Sequence, residues 1–161
     1  MIRNAGFDLT CTIVEAGNLH PDFENPDIVV QFTGRDVDLL LANKAELLLA
    51  LEQITMEVLA LAPEDHSKLQ FDAHDYRALR IEELRLSAIT AAEKVKRSQV
   101  PFEFSPMSSR ERRILHLALR GESAVRSESA GFGSHRQVII YPANMPSKSG
   151  GQPAPPPRRR R

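Results

Sequence analysis

Residues 106–116 read Pro-Met-Ser-Ser-Arg-Glu-Arg-Arg-Ile-Leu-His, and this stretch says most about the fold and the function of the chain. Ser108 followed three residues later by Glu111 forms a capping box, so we predict a helix that begins immediately after Ser108. Gly121 suits the position just past a helix end, which places the last turn near Leu119. The stretch therefore predicts a short helix with defined ends and a high content of arginine.

One side of this helix is predicted to be basic. At about 100° per residue, a narrow sector of its surface carries arginines, a histidine and a hydroxyl group, whereas Ile114 and Leu115 lie on the opposite side. Because guanidinium groups match the geometry of phosphates, the sector is a candidate nucleic-acid-binding surface. The alternative is a helix with ordinary solvated arginines and a histidine that packs or caps. The basic sector comprises Arg112, His116, Ser109, Arg120 and Arg113.

The distribution of charge favours nucleic-acid binding. The chain has 161 residues with 21 Lys and Arg against 21 Asp and Glu, so its formal net charge is zero. Residues 1–93 carry 7 Lys and Arg against 17 Asp and Glu, which is −10, and residues 94–161 carry 14 against 4, which is +10. Neutralisation of phosphates by Lys and Arg supplies much of the affinity of nucleic-acid binders. The C-terminal part has this character and the N-terminal part does not.

The remaining sequence alternates strands and helices. Residues 7–15 and 28–33 predict two antiparallel strands. Residues 36–61 predict either one long helix or two short helices with a bend near Ala42–Ala45. Further strands are expected at 69–72, 102–104, 124–129 and 137–141, and a long amphipathic helix at 75–97. The apolar stripe of the 36–61 segment comprises Leu39, Leu40, Leu47, Leu48, Leu51, Ile54 and Val58.

The basic helix resembles a known module. Arg112 and His116, separated by three residues within 106–116, resemble the signature of the R3H domain, a small domain that binds single-stranded nucleic acid. Ser129, Gly131 and Arg136 fit the strands that follow the helix in that domain. The resemblance implies that Arg112 and His116 contact the nucleic acid. On physical grounds we expect Arg113 and Arg136 to add supporting contacts.

The stretch before the basic helix resembles the KH–R3H junction of the bacterial Jag family. The residues that carry this resemblance run from Phe71 to Arg77 and continue with Arg80 and Leu84. The match covers roughly residues 25–142, and because it begins so early we expect the separate N-terminal domain of that family to be absent. The resemblance implies cytoplasmic RNA binding without catalysis.

These observations predict an α/β protein of two small lobes. Residues 1–98 are expected to form an acidic, degenerate KH-like β-β-α-α-β lobe with a long C-terminal helix, and residues 99–142 an R3H lobe. Residues 143–161, rich in Pro, Ser, Gly and Arg, are expected to form a disordered basic tail. Phe132, in the Gly-rich loop between the last two strands, either stacks on an unpaired base or packs on the R3H helix.

The KH-like lobe departs from the family pattern at its nucleic-acid loop. Jag-like KH domains carry Gly-x-x-Gly there, whereas this chain carries Ala42-Asn43-Lys44-Ala45. Alanine adds a Cβ where a phosphate should pass, and its higher helix propensity favours straightening the bend. Glu46 and Glu52 would also repel a phosphate. We therefore expect the lobe to bind RNA poorly and to serve as a scaffold or as a contact surface for a protein partner.

Other chemistry has little support in the sequence. The histidines lack metal-ligand spacing, no nucleophile or phosphate-loop motif is present, and Cys11 is expected in a strand as a core residue. No apolar run is long enough for a membrane helix. We therefore expect a cytoplasmic protein that is not an enzyme and has no metal or cofactor. It would bind single-stranded RNA, or DNA, through the Arg112 and His116 face. The alternative is a protein-interaction scaffold whose R3H fold is only structural.

Overall fold

The computed structural model describes residues 6–15 and 22–146, which form two lobes, each a three-stranded sheet with helices packed on it. In the first lobe, β1 (Leu9–Glu15) pairs antiparallel with β2 (Ile28–Gly34), and β2 pairs parallel with β3 (Leu69–Ala73). A parallel pair needs a crossover connection, and α1 (Val37–Val58) provides it. The sheet order is β1-β2-β3.

A loop interrupts α1 at Ala42–Ala45. Ala42 is extended, with φ −56° and ψ 152°, and Asn43, Lys44 and Ala45 are all left-handed, with φ of 51°, 62° and 59°. Of the two alternatives for this segment, the bend is therefore the one observed, and the expected straightening by alanine is wrong. The lobe has the β-β-α-α-β order that the sequence predicts.

Packing explains why the loop persists without glycine. A left-handed residue other than glycine costs roughly 1–2 kcal/mol, so three in succession need compensation. Ala45 is 0% exposed and lies in the core of the first lobe with Phe32, Leu48 and Phe71. The burial of its methyl group and the packing of α1 on β3 stabilise the bend.

The second lobe forms around a second sheet. The long helix α2 (Tyr76–Ser98) leads into β4 (Phe102–Glu103), and α3 (Ser109–Ala118) precedes β5 (Val125–Ala130) and β6 (Gln137–Pro142). β6 is the central strand and pairs antiparallel with β4 and β5. The predicted capping box is confirmed, because the Glu111 amide donates to Ser108 Oγ at 3.2 Å and the Ser108 amide donates to Glu111 Oε2 at 3.0 Å.

The helix α2 contributes its buried face to the second core. Leu84, Ala88 and Val95 pack with Leu115 of α3 and Ile140 of β6. From the sequence, this helix is predicted to belong to the first lobe, residues 1–98. That division stays a prediction, but the packing favours an assignment of α2 to the second lobe.

Buried ion pairs join the two lobes. Glu52 of α1 is 6% exposed; its Oε2 lies 2.5 Å from Arg77 Nη2 and its Oε1 lies 3.5 Å from Arg110 Nη1. The Arg110 Nε also lies 3.3 Å from Glu24 Oε1. The expectation that Glu52 repels a phosphate at the α1 loop is therefore wrong, because its carboxylate is used inside the protein.

The structure also bears on the expected burial of Cys11 and on the expected disorder of residues 143–161. Cys11 is exposed, so its assignment to the core is wrong: β1 is an edge strand of its sheet, and α1 packs chiefly on β3, the strand at the other edge. Of the expected tail, residues 143–146 are described, and the Ala143 amide and the Met145 carbonyl hydrogen-bond with residues 124 and 126. The rest of the tail, residues 147–161, lies outside the described residues.

Within the described chain, no helix has both the length and the apolar content needed to cross a membrane.

Candidate nucleic-acid interface

The apolar side of α3 faces the core of the second lobe, and Arg112 and His116, which we call the signature pair, face β5. Ile114 and Leu115 are buried in the second core, as the helical projection predicts. Arg112 and His116 lie one turn apart on another side of the helix and are half-buried against the strand. The burial of Ile114 and Leu115 thereby fixes the direction in which Arg112 and His116 point.

Two serines of β5 hold the signature pair. The Arg112 Nη1 donates to Ser129 Oγ at 3.2 Å, and the His116 Nε2 lies 2.9 Å from the same oxygen. The His116 Nδ1 lies 2.7 Å from Ser127 Oγ. Because side chains alternate along a strand, Ser127 and Ser129 face the same side of the sheet. Ser127 is not among the residues predicted from the sequence; its spacing of two from Ser129 is the signal that could have identified it.

The environment of His116 disfavours its charged form. Burial is the main cause that lowers the pKa of its imidazole, and the positive charges of Arg112 and Arg136 lower the pKa further. Since the ordinary value is 6.5, the ring is mostly neutral at pH 7. In the free protein, His116 therefore orients Ser127 and Ser129 by hydrogen bonds rather than adding a positive charge, and Ser129 in turn holds Arg112.

Arg112 retains a donor that no described residue satisfies. Its Nε is buried, and no acceptor from the described part of the chain lies within hydrogen-bond distance. An unsatisfied buried donor costs roughly 1–3 kcal/mol, and more when the group is charged. The guanidinium is thus held in place by Ser129 on one terminal nitrogen, while its Nε is enclosed by the protein.

The other residues of the predicted basic sector lie more openly. Ser109, Arg113 and Arg136 are exposed, and Arg136 is near enough to influence the pKa of His116. Arg120 is exposed too, but it lies two residues beyond the end of α3, so its angle on a helical projection does not apply. The structure thus brings Arg112, His116 and Arg136 together and leaves Arg120 outside the helix.

Phe132 stands at the tip of the loop between β5 and β6. The residue is 64% exposed, which fits stacking on a base better than packing on α3. Gly131 before it has a φ of +89°, and a Cβ there would lie 2.5 Å from the His135 carbonyl oxygen. Only glycine fits this turn, so the loop conformation that presents Phe132 depends on Gly131.

An open groove of about 650 Å³ runs from the beginning of α3 to the α1 loop. Both lobes contribute to it, which no single motif in the sequence indicates. Its lining includes Asn43, Lys44, Glu46, Ser109, Arg112, Gly133 and Ser134. The α1 loop and α3 therefore share one surface depression. Within the described residues, no group of three or more His, Cys, Asp or Glu is arranged to hold a metal ion.

Comparison with known proteins identifies the second lobe. Residues 82–142 match the family model of the R3H domain. The chain carries an R3H domain. The match begins inside α2, in agreement with the contribution of that helix to the second core.

The R3H domain occurs here in a chain that is homologous to RNA-binding proteins named KhpB. The relative from Clostridium symbiosum is 32% identical over 111 residues, which is 69% of this chain and 50% of the relative. The relative from Bacillus subtilis strain 168 is 33% identical over 110 residues, 67% of this chain and 53% of the relative. One from Lactiplantibacillus plantarum is 28% identical over 124 residues, 76% of this chain and 38% of the relative.

This homology confirms the resemblance to the Jag family. The chain spans about half the length of the first two relatives. What those proteins bind is therefore evidence for a proposal about this chain.

Proposed function

We propose that this chain binds single-stranded RNA through the surface formed by Arg112, His116, Ser129, Arg113 and Arg136, which we call the α3 face. The observation that carries the proposal is the state of Arg112. Its half-buried guanidinium is held by Ser129 on one terminal nitrogen, and the side chain lines the open groove beside α3. A phosphate that enters the groove provides hydrogen-bond acceptors together with the opposite charge.

The relatives favour RNA as the nucleic acid. All three carry the name RNA-binding protein KhpB. The function we propose is binding rather than catalysis, because binding is the activity that the names of the relatives state. As the family resemblance implied, we place this binding in the cytoplasm.

The chemistry of the α3 face predicts how binding behaves. Arg112, Arg113 and Arg136 would contact phosphates, and each neutralised phosphate releases counterions, so the affinity falls as salt rises. Phosphate contacts position a strand without reading its sequence. Phe132 would stack on an unpaired base, which every base permits. We therefore expect modest affinity from this face, with strong dependence on salt and little sequence preference.

A titration of the full chain tests the proposal. A labelled single-stranded RNA is followed by fluorescence anisotropy at about 50 and about 200 mM salt, against DNA of the same sequence and against an RNA duplex. We expect saturable binding that weakens at the higher salt and is tightest for single-stranded RNA. Absence of binding at either salt contradicts the proposal and supports the protein-interaction scaffold, with the acidic lobe as its contact surface. Tighter binding of DNA contradicts the choice of RNA.

A further inference from the structure

The groove beside the α3 face has walls from two different lobes. The loop of α1 supplies Asn43, Lys44 and Glu46 on one side, and α3 supplies Ser109 and Arg112 on the other. Its volume of about 650 Å³ falls in the range of ligand-binding clefts, about 300–1,000 Å³. A strand that contacts Arg112 is therefore adjacent to the α1 loop.

The α1 loop is built to present its side chains to this groove. Tyr76 Oη, at the beginning of α2, donates to the Lys44 carbonyl oxygen at 2.8 Å, and Ala45 is anchored in the core. The side chains of Asn43, Lys44 and Glu46 are exposed, and none of them bonds to another described residue. The backbone is thus fixed while three polar groups stay available for a ligand.

The alanines do not obstruct the groove in the way that the sequence suggested. The methyl group of Ala45 points into the core of the first lobe, where it is 0% exposed, and so is not in the path of a ligand. Ala42 is exposed but extended, a conformation that any residue adopts. Beside Lys44, this wall carries the carboxylate of Glu46, whereas the described residues that line the opposite wall include no carboxylate.

The two walls suit different parts of a nucleotide. Arg112 and Ser109 offer donors that match a phosphate, whereas the Glu46 carboxylate repels a phosphate and accepts from an amino group. Cytosine presents such a group at N4 and uracil presents a carbonyl oxygen instead. Bases of a single strand are unstacked and expose these edges to side chains.

We propose that one single strand lies in this groove, with phosphates along α3 and bases against Asn43 and Glu46, so that Glu46 favours cytosine over uracil. This inference rests on the proposed function, because it needs the strand that Arg112 binds. It gives the first lobe a part in base selection rather than in clamping the backbone.

The test compares labelled oligo(C) and oligo(U) of equal length on the full chain. We expect the wild type to prefer oligo(C) by about fivefold or more, the lower end of discrimination by one base contact. Glu46→Ala removes both the charge and the acceptor and should abolish the preference. Glu46→Gln keeps an acceptor and should retain part of it. Glu57→Ala, an exposed carboxylate farther along α1, is the matched control and should leave the preference unchanged.

The alternative explanations give different results. If Glu46 only repels phosphates, Glu46→Ala and Glu46→Gln raise the affinity for both oligomers equally, which overturns the inference. An unselective wild type, or an unchanged preference in Glu46→Ala, also overturns it. Arg112→Ala is titrated alongside: if it weakens binding while the Glu46 variants change nothing, the inference fails and the proposed function stands. If Arg112→Ala changes nothing, the proposed function fails.

Discussion

Glu52 of α1 and Arg110 of α3 form an ion pair across the two lobes, with Oε1 and Nη1 3.5 Å apart. The same carboxylate accepts from the Phe71 amide at 2.6 Å and pairs with Arg77. Arg110 lies two residues before Arg112, so the acidic first lobe helps to fix the beginning of the helix that carries the α3 face. Part of the negative charge of residues 1–93 thus stabilises the fold.

Reversal of the Glu52 charge should strongly destabilise the protein. Glu52→Lys places a third positive charge beside Arg77 and Arg110 and leaves the Phe71 amide without its acceptor. Breaking a buried ion pair costs about 3–5 kcal/mol, and we expect a loss of at least that size in urea unfolding. Glu46→Lys, at an exposed position, should change the free energy of unfolding by no more than about 0.5 kcal/mol. Equal stabilities of the two variants would contradict the structural role of Glu52.

The left-handed loop predicts an unusual order of stability at residue 44. Lys44→Gly and Lys44→Ala both remove the side chain, but only glycine tolerates a φ of 62° without strain. Lys44→Gly should therefore be the more stable by about 1 kcal/mol in urea unfolding. In a continuous helix, Lys44→Ala would be the more stable by about the same amount. The sign of the difference decides between a bend and a straight helix.

Local patterns predicted most of the secondary structure correctly. The capping box of Ser108 and Glu111 fixed the beginning of α3, and alternation of residue types located the strands. The α1 loop was harder, because its left-handed residues are not glycines and depend on the burial of Ala45, a tertiary contact. Propensity alone favours a helix there.

The prediction of the buried apolar stripe of α1 was only partly correct, because the same loop interrupts the helix. The interruption at Ala42–Ala45 changes the phase of the helix, so a projection as one helix mixes two faces. Leu40 and Leu48 are buried, whereas Leu39, Ile54 and Val58 are exposed. The buried face after the loop runs through Ala45, Leu48, Glu52 and Met56. It includes a glutamate, which an apolar pattern cannot identify as buried.

The residues of the candidate site that lie on α3 could be predicted from the sequence, whereas the residues that surround α3 could not. Arg112 and His116 could be named from one helical projection. Ser127 and the groove toward Asn43 could not, because they depend on which strand and which lobe lie beside α3. Long-range packing, rather than local spacing, determines those neighbours.

The pKa of His116 predicts a dependence of stability on pH. Burial, with Arg112 and Arg136, lowers this pKa in the folded protein, so below about pH 6.5 the unfolded chain binds the proton more readily. The free energy of unfolding then falls as the pH decreases through the window below that value. His116→Gln removes this contribution, so its stability should fall less than that of the wild type between about pH 7 and about pH 5. Parallel curves in urea unfolding would show that the pKa is not lowered.

The residues beyond 146 should affect binding but not folding. Deletion of residues 147–161 removes five positive charges, those of Lys148 and Arg158–Arg161, and leaves the described turn at residues 143–146 intact. We expect lower affinity for single-stranded RNA and a flatter dependence on salt, because fewer counterions are released. The melting temperature should stay nearly unchanged. A decrease of many degrees would show that this segment packs on the lobes.

The central claim is that Arg112 binds a phosphate of single-stranded RNA, and one comparison tests it most directly. Arg112→Ala is titrated with labelled RNA beside Arg97→Ala. The second variant removes a positive charge from an exposed site near the C-terminal end of α2. With both folds confirmed by circular dichroism, Arg112→Ala should weaken binding about tenfold or more, as expected for the loss of a charge-assisted contact of about 1.5–3 kcal/mol. Arg97→Ala should weaken it far less. Equal affinities of the two variants would contradict the claim.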